Sequence, residues 1–209
     1  MTANLAGRIT QGCESLGLQL DSKGIFLLCR YIGMLDQWNQ AYNLTAIREP
    51  DAMVTHHLLD SLAILPWLRP GRVLDVGTGA GLPGVPLAIA RRDQAFTLLD
   101  SNGKKTRFLL QLVAELGLNN VTVLQQRVEQ VVDKAGFDMV LSRAFSSLSD
   151  MVLATLHLVA EGGSWLAMKG VYPDAELAQL PAGIELQAVE PVIVPDLAAQ
   201  RHLVILQRQ

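Results

Sequence analysis

The stretch with the clearest chemical potential is a glycine-rich loop, Val73–Gly81, which reads VLDVGTGAG. It follows a short apolar run typical of a buried strand and leads into a helical pattern, the context that a nucleotide-binding loop requires. Gly77, Gly79 and Gly81 let the backbone turn sharply and let a ligand lie directly on the main chain. Gly79–Gly84 also fits the dinucleotide pattern G-x-G-x-x-G, which is a weak match on its own.

Two carboxylates narrow the class of ligand. Asp75 lies two residues before the first glycine, where it suits the cationic amino group of an amino-acid-bearing cofactor and would repel a pyrophosphate. Asp100 ends the next predicted strand, about 20 residues on, which places its oxygens to accept hydrogen bonds from ribose hydroxyls. S-adenosylmethionine carries one ammonium, one ribose and no phosphate. The pair therefore predicts an S-adenosylmethionine site and argues against a nicotinamide dinucleotide.

A third acidic residue, Glu129, follows the third predicted strand. In a doubly wound sheet the loops after successive strands meet at the carboxyl edge, so this region is placed to read the adenine edge of the cofactor. Glu129 is equally well explained as an acidic residue that the helix dipole favours in a first turn. The two interpretations stay open.

These residues need a scaffold, and the apolar pattern supplies one. Residues 1–70 have helical spacing, with Asp21 and Ser22 as candidate caps and a third helical stretch that opens at Pro50 and closes at Pro66. After Gly71, helical patterns, the clearest at Gly103–Leu116, separate most of five strand-like runs. These runs are Arg72–Val76, Phe96–Asp100, Val121–Gln125, Phe137–Ser142 and Ser164–Met168.

Such alternation predicts an α/β fold with a mostly parallel sheet covered on both faces. Ile184–Val194 and His202–Gln207 have no helix between them and predict an antiparallel pair at the sheet edge. We therefore expect a Rossmann-like, seven-stranded sheet with terminal antiparallel pairing. The expected division is an N-terminal helical extension, 1–70, packed on one compact cofactor-binding domain, 71–209.

Composition excludes several classes of protein. The 209 residues include 17 basic and 20 acidic ones, which excludes a basic nucleic-acid coat protein but allows a local basic patch. Residues 71–150 are the one positive block, with 9 basic and 8 acidic side chains. Cys13 and Cys29 provide neither a metal quartet nor a disulfide framework. We expect a cytoplasmic protein with no bound metal, no signal peptide and no membrane-spanning segment.

Eight strings, in order, resemble one family, the small-subunit ribosomal RNA methyltransferase G family (RsmG, also called GidB). They are Trp38-Asn39 with Tyr42-Asn43-Leu44-Thr45, His57–Ser61, Asp75–Gly84, Leu99-Asp100-Ser101, Arg127-Val128-Glu129, Ser142-Arg143-Ala144-Phe145, Lys169-Gly170 and Arg201-His202-Leu203. The resemblance runs from about Trp38 to the last strand. It implies a class I methyltransferase that uses S-adenosylmethionine.

The resemblance also implies a substrate and site residues. Members transfer a methyl group to ring nitrogen 7 of guanine 527 in the 530 loop of 16S ribosomal RNA, in the small ribosomal subunit. Asp100 matches the ribose-binding position of the wider class, and Leu82 stands where many members have phenylalanine. The family's cofactor contacts map onto Gly77, Leu82, Val128, Glu129 and Arg143.

The expected reaction needs little from the protein. Ring nitrogen 7 has a free lone pair and no proton, so an in-line displacement requires no general base, and positioning with exclusion of water supplies most of the acceleration. The product guanine gains positive charge, which a nearby carboxylate would favour. Arg143 either grips RNA or guanine oxygen 6, holds the cofactor carboxylate, or pairs with Asp75 or Asp138. We favour a functional, positioning role.

Basic and aromatic residues suggest where RNA binds. The expected phosphate contacts are Lys104, Lys105, Arg107, Lys169, Arg201 and His202; for any single helix member, a solvated surface is the simpler interpretation. Arg91 and Arg92 extend the basic set. Trp38 and Tyr42 are more simply explained as core than as base-stacking residues, and adjacent His56 and His57 should point in different directions.

Competing functions remain open from the residues alone. A small-molecule methyltransferase would have a closed apolar lid and no basic rim. A non-catalytic ribosome assembly factor would bind RNA and cofactor without turnover. An NAD-dependent oxidoreductase is disfavoured by Asp75.

Overall fold

The computed structural model describes residues 2–143 and 145–208, so Ala144 of the Ser142–Phe145 string lies outside the described residues. The strands form one sheet in the order β3-β2-β1-β4-β5-β7-β6. They are β1 Val73–Val76, β2 Phe96–Leu99, β3 Val121–Leu124, β4 Phe137–Ser142, β5 Val159–Lys169, β6 Ile184–Pro191 and β7 His202–Arg208. Strands β1 to β5 pair in parallel, and β7 pairs antiparallel with β5 and β6. The predicted mostly parallel, seven-stranded fold with a terminal antiparallel pair is confirmed.

Two apolar layers cover the sheet. Val73 of β1 joins a cluster with Ile9 and Leu28 of the N-terminal helices and with Leu109. The next residue, Leu74, joins a second cluster on the opposite face. All four residues of β1 are buried, because side chains of a central strand alternate between two covered faces. The division of the chain near residue 70 stays a prediction.

The long helices begin and end where capping residues allow it. Helix α1 is Thr2–Ser15 and α2 is Ser22–Tyr42. Asp21 caps α2, because its side chain accepts a hydrogen bond from the Gly24 N–H at 2.8 Å, as predicted. Helix α6, Gly103–Leu116, has the predicted bounds and ends at Gly117 in the left-handed region.

The third helical stretch differs from the expectation of one regular helix. It consists of α3, Pro50–Met53, a π-helical segment, Val54–Leu59, and α4, Asp60–Leu62. A π segment adds a residue to the turn and frequently occurs at functional sites. It sets the direction of the polar side chains that follow it on the chain.

The remaining helices are short. They are α5, Gly84–Ala90, α7, Leu148–Thr155, and α8, Asp174–Leu177. Between β3 and β4 the chain forms only one 3-10 turn, Val128–Gln130. Within residues 2–143 and 145–208, no helix has both the length and the apolar character that a membrane crossing needs.

Candidate active site at the carboxyl edge of the sheet

The glycine-rich loop lies at the carboxyl end of the central strand β1. Gly77, Gly79 and Gly81 have φ angles of +68°, +61° and +91°, which side-chain-bearing residues rarely adopt. A Cβ atom at Gly81 would lie 2.5 Å from Val85 Cγ2, whereas one at Gly77 would meet no atom of the described residues within 4 Å. The buried Tyr31 hydroxyl donates to the Ala80 carbonyl at 2.9 Å. The loop is therefore held by the packing at Gly81 and by the bond from Tyr31, whereas the space beside Gly77 is open to a ligand.

Asp75 braces this loop from inside. It is fully buried, and its Oδ2 atom accepts hydrogen bonds from the Thr78 hydroxyl at 2.6 Å and the Gly84 N–H at 2.8 Å. Burial raises the pKa of Asp75 to about 6. Within the described residues, Oδ1 has no hydrogen-bond partner, so Oδ1 is the atom left for the predicted contact with a ligand ammonium.

Asp100 joins the loop to the end of β2. Its Oδ2 atom accepts from the Gly79 N–H at 3.0 Å, and Oδ1 accepts from the Asn102 N–H at 2.8 Å. An ionised carboxylate has about four acceptor sites, so two remain for ribose hydroxyls. Lys105, predicted as an RNA contact, has its Nζ atom 3.6 Å from Asp100 Oδ2. Its ammonium therefore faces the mouth of the glycine loop.

The other predicted cofactor residues lie in different settings. Leu82 is buried in the main cluster, which limits it to a packing surface. Val128 is half-buried and Glu129 is exposed, both in the 3-10 turn after β3. An orphaned Asp75 oxygen, a glycine loop with open space above it and a carboxylate with free acceptor sites together fit an ammonium-and-ribose cofactor.

Arg143 follows β4, and its ion-pair partner is Asp60. Its Nη1 atom donates to the His56 carbonyl at 3.2 Å and lies 3.4 Å from Asp60 Oδ2. The alternative pairing with Asp75 or Asp138 is therefore wrong as a direct contact, because Asp60 on α4 faces the guanidinium. Arg143 follows β4, whose Leu141 pairs with Asp75 of β1, so it lies near the glycine loop. Burial dominates the rise in the pKa of Asp75, and the charge of Arg143 opposes that rise.

Asp60 also binds a second arginine. Arg201, in the segment before β7, donates from Nε to Asp60 Oδ1 at 2.6 Å. Asp60 is 2% exposed, so one buried carboxylate holds two cationic side chains. Asp60 was not among the predicted site residues, although it lies within the His57–Ser61 string; the available signal was an acidic residue among the apolar residues of the third helical stretch.

These residues line a pocket of about 350 Å³, here called the edge pocket. It opens between the carboxyl ends of β4 and β5 and the π-helical segment. Its polar lining is His56, His57, Asp60, Arg143, Lys169 and Arg201. The volume lies at the lower end of the range for small-molecule sites.

His57 is a buried, neutral member of this lining. Its Nε2 atom lies 2.8 Å from Thr45 Oγ1, and burial together with the charge of Arg143 lowers its pKa to about 4. The Asn39 side chain holds the same loop by accepting from the Thr45 N–H at 2.9 Å. The Asn43–Thr45 string therefore forms a braced turn beside the pocket. His56 is half-buried and lines the same pocket, so the predicted difference in direction between the adjacent histidines stays a prediction.

The predicted RNA residues fall into two groups. Lys104 and Arg107 are exposed on α6. Lys169 ends β5 with its Nζ 2.7 Å from Glu176 Oε2, and Arg201 lies in the edge pocket. His202 packs edge-on against Tyr172. Their role toward RNA stays a prediction.

Other candidates have structural explanations. The Trp38 ring stacks on Tyr42 at 5.1 Å and contacts Phe108 at 5.6 Å, in agreement with the core interpretation. Arg92 pairs with Asp21 at 2.6 Å. Among the residues described, no three His, Cys, Asp or Glu side chains converge as metal ligands would.

Related proteins agree with this architecture. A family described as GidB, rRNA small subunit methyltransferase G, matches residues 25–204. The Ribosomal RNA small subunit methyltransferase G of Chromobacterium violaceum is 53% identical over 205 residues, covering 98% of this chain and 98% of that protein. The protein of the same name from Marinomonas sp. is 51% identical over 201 residues, covering 96% of this chain and 97% of the relative.

A solved structure with the same fold is a SAM-dependent methyltransferase from Aquifex aeolicus. It matches with a TM-score of 0.62 and 20% identity, covering 80% of this chain and 97% of that chain. At this identity the likeness concerns the fold alone, and it agrees with the expected Rossmann-like sheet. The family resemblance drawn from the eight strings is confirmed by the matches over nearly the whole chain. This chain belongs to the GidB family, rRNA small subunit methyltransferase G.

Proposed function

We propose that this protein transfers a methyl group from S-adenosylmethionine to ring nitrogen 7 of guanine 527, in the 530 loop of 16S ribosomal RNA. The observation that carries the proposal is a small cationic pocket at the carboxyl ends of β4 and β5, where β4 is the sheet neighbour of β1 and its glycine-rich loop. Relatives about half identical to this chain are named for methylation of small-subunit ribosomal RNA. Acceptor and cofactor would then meet where the parallel strands end.

The cofactor, when bound, supplies a methyl group made electrophilic by the sulfonium. The Asp100 carboxylate would accept from the ribose hydroxyls, and Asp75 Oδ1 would meet the ammonium. The open main chain at Gly77 and Gly79 would lie against the ligand. The full set of cofactor residues in this proposal is Asp75, Gly77, Gly79, Gly81, Leu82, Asp100, Val128, Glu129 and Arg143.

The residues of the edge pocket would then hold the guanine in line with the methyl group. No proton leaves ring nitrogen 7, so the neutral His57 has no base role to fill. Arg143, near both Asp75 and the pocket, is suited to orient the reactants from the end of β4. Positioning and exclusion of water are the contributions asked of the chain.

The RNA backbone would follow the two cationic groups. Lys104, Lys105 and Arg107 belong to α6, and Lys169, Arg201 and His202 border the edge pocket or follow it on the chain. Phosphate contacts fix register without reading sequence, whereas the pocket reads one base. The partner in this proposal is 16S ribosomal RNA in the small ribosomal subunit, which lies in the cytoplasm of a bacterium.

The direct test is methyl transfer from labelled S-adenosylmethionine to small ribosomal subunits that lack the modification, followed by mapping of the label at base resolution. We expect label on ring nitrogen 7 of that one guanine. Folded Asp100→Ala protein should bind the cofactor weakly and label the RNA slowly. Cofactor binding with every RNA left unlabelled would remove the proposed substrate and leave the fold assignment intact.

Salt dependence separates this function from methylation of a small molecule. Contacts with several phosphates release counterions, so RNA affinity falls steeply as salt rises. A small neutral acceptor would bind with little salt dependence. A flat salt profile for the labelled acceptor would therefore favour the small-molecule alternative.

A further inference from the structure

Asp60 is placed unusually for an ionised side chain. It begins α4 directly after the π-helical segment Val54–Leu59 and is 2% exposed. Removing a charge from water is unfavourable unless partners compensate for it. Asp60 has those partners, and both come from distant parts of the chain.

Each of the two carboxylate oxygens of Asp60 faces a different arginine. Oδ1 accepts from Arg201 Nε at 2.6 Å, and Oδ2 lies 3.4 Å from Arg143 Nη1. Arg143 is additionally held by the His56 carbonyl, and Arg201 Nη1 donates to the Gln200 carbonyl at 2.8 Å. A guanidinium has five N–H donors in a rigid plane, so each arginine keeps donors for a ligand while its orientation is fixed.

The charge balance of the pocket gives Asp60 a second role. Arg143, Lys169 and Arg201 are cations in the lining, and Asp60 is the acidic residue in the described lining. Glu176 offsets Lys169 at 2.7 Å. Without Asp60 the two arginines would leave the pocket strongly positive.

That charge opposes the proposed reaction. The bond between the methyl carbon and sulfur breaks as the bond to ring nitrogen 7 forms, so one positive charge moves from the sulfonium to the guanine. A cationic lining disfavours charge that arrives in the transition state, and a fixed carboxylate favours it.

We propose that Asp60 is a positioning residue for methyl transfer, which fixes Arg143 and Arg201 and supplies the negative charge that the methylated base requires. This inference rests on the proposed guanine methylation. Its signature is a change in kcat with little change in the KM for RNA, because Asp60→Asn removes no cation from the RNA surface.

The experiment compares Asp60→Asn with Asp133→Asn. Asp133 forms an ion pair with Arg72 at 2.6 Å. Arg72 lies just before β1 and Asp133 lies before β4, so this pair is at the amino ends of the strands, away from the edge pocket. Asp133→Asn therefore controls for the loss of an arginine–aspartate pair. We expect kcat of Asp60→Asn to fall about 10- to 100-fold, with the KM for RNA within about threefold of the wild-type value. Asp133→Asn should keep the wild-type kcat.

A second variant covers loss of folding. If thermal melting shows that Asp60→Asn is unfolded at the assay temperature, Arg201→Lys is measured in its place. It keeps the charge but loses the Nε bond and the planar fork, and we expect its kcat to fall about 10-fold.

Two results overturn the assignment of Asp60: a wild-type kcat in the folded variant, or an equal loss in Asp133→Asn. In both cases the proposed function is retained if the wild-type protein methylates ring nitrogen 7 of the guanine. Wild-type label on another RNA atom refutes the proposed function itself and, with it, the charge argument.

Discussion

Two of the buried carboxylates at the carboxyl edge of the sheet, Asp75 and Asp60, are held in different ways. Asp75 binds Thr78 and Gly84, three and nine residues away. Asp60 binds Arg143 and Arg201, 83 and 141 residues away. The first carboxylate stiffens a loop through its near neighbours on the chain. The second joins three separate elements into one pocket through charge.

The difference separates two tasks in a two-substrate site. A local network can fix a main-chain surface, since few degrees of freedom have to be ordered. A long-range network can bring together cations that would repel one another without a shared counter-charge. We expect substitutions in the loop to act mainly on stability, and substitutions around Asp60 to act on electrostatics as well.

The largest effect should come from crowding the glycine loop with Gly81→Ala. The new Cβ would lie 2.5 Å from Val85 and 2.9 Å from Leu109, at a φ of +91°. We expect a loss of about 3 kcal/mol or more in the free energy of unfolding, measured in urea, from strain and overpacking together. Gly117→Ala, where φ is +61° and the site is open, should lose about 1 kcal/mol. Equal losses would show that the loop is not tightly packed.

Acidification should weaken the edge pocket through His57. Burial lowers its pKa from 6.5 to about 4. Between these pH values the imidazole is protonated in the unfolded chain and neutral in the folded protein. The stability it contributes is present above pH 6.5 and is lost as the pH falls toward 4, by up to about 3 kcal/mol. Asp75 has the opposite effect on stability. Because its pKa is raised to about 6, the folded protein binds this proton more readily than the unfolded chain, and stability rises as the pH falls below 6.

The contribution of His57 is therefore measured as a difference. The free energy of unfolding is determined from pH 7 to pH 4.5 for the wild type and for His57→Gln. We expect the variant to lose less stability over this range than the wild type. Parallel profiles would contradict a buried, neutral His57.

A smaller effect on stability should distinguish the half-buried Arg201 from the exposed Arg107. Arg201→Ala leaves Asp60 with one cation, and we expect it to lose roughly 1–3 kcal/mol of unfolding free energy. Arg107→Ala, on the exposed face of α6, should stay within about 0.5 kcal/mol of the wild type. A stable Arg201→Ala protein would mean that Asp60 does not depend on this partner.

The smallest effect should appear in the salt dependence of RNA binding. Lys104→Gln should reduce the slope of log affinity against log salt by about 1, without changing folding, if the residue contacts a phosphate. Lys23→Gln, on α2, serves as the matched exposed control and should leave the slope unchanged. Equal slopes for wild type and Lys104→Gln would exclude α6 from the RNA path at this position.

The two regions also differ in how far the sequence predicts them. The glycine loop follows from Val73–Gly81 alone, because the strand, the turn and the helix start are consecutive on the chain. The bounds of α6 follow from its apolar spacing and from Gly117. The parallel pairing of β1 to β5 follows from the alternation of strands with helices. The 3-10 turn that stands in place of a longer helix between β3 and β4 could not be predicted from this alternation.

The edge pocket could not be predicted in the same way. Nothing near Asp60 on the chain indicates that Arg143 and Arg201 will meet it, because the pairing depends on the order of β4, β5 and β7 in the sheet. The π-helical segment was also missed, because its apolar residues fit ordinary helical spacing. Asp75 was assigned to a ligand from its position before the glycines, while its main visible contacts brace the loop.

The long separation between Asp60 and Arg201 has a consequence for folding. The entropy cost of closing a long loop has to be met before the contact between its ends contributes stability. Parallel sheets whose strands are distant in sequence therefore form slowly. The glycine loop can therefore order early, while the pocket forms only after β7 has joined β5. A chain whose synthesis stops before residue 201 holds Asp60 without this partner, so a ribosome-bound fragment would carry a finished cofactor loop and an unfinished acceptor site.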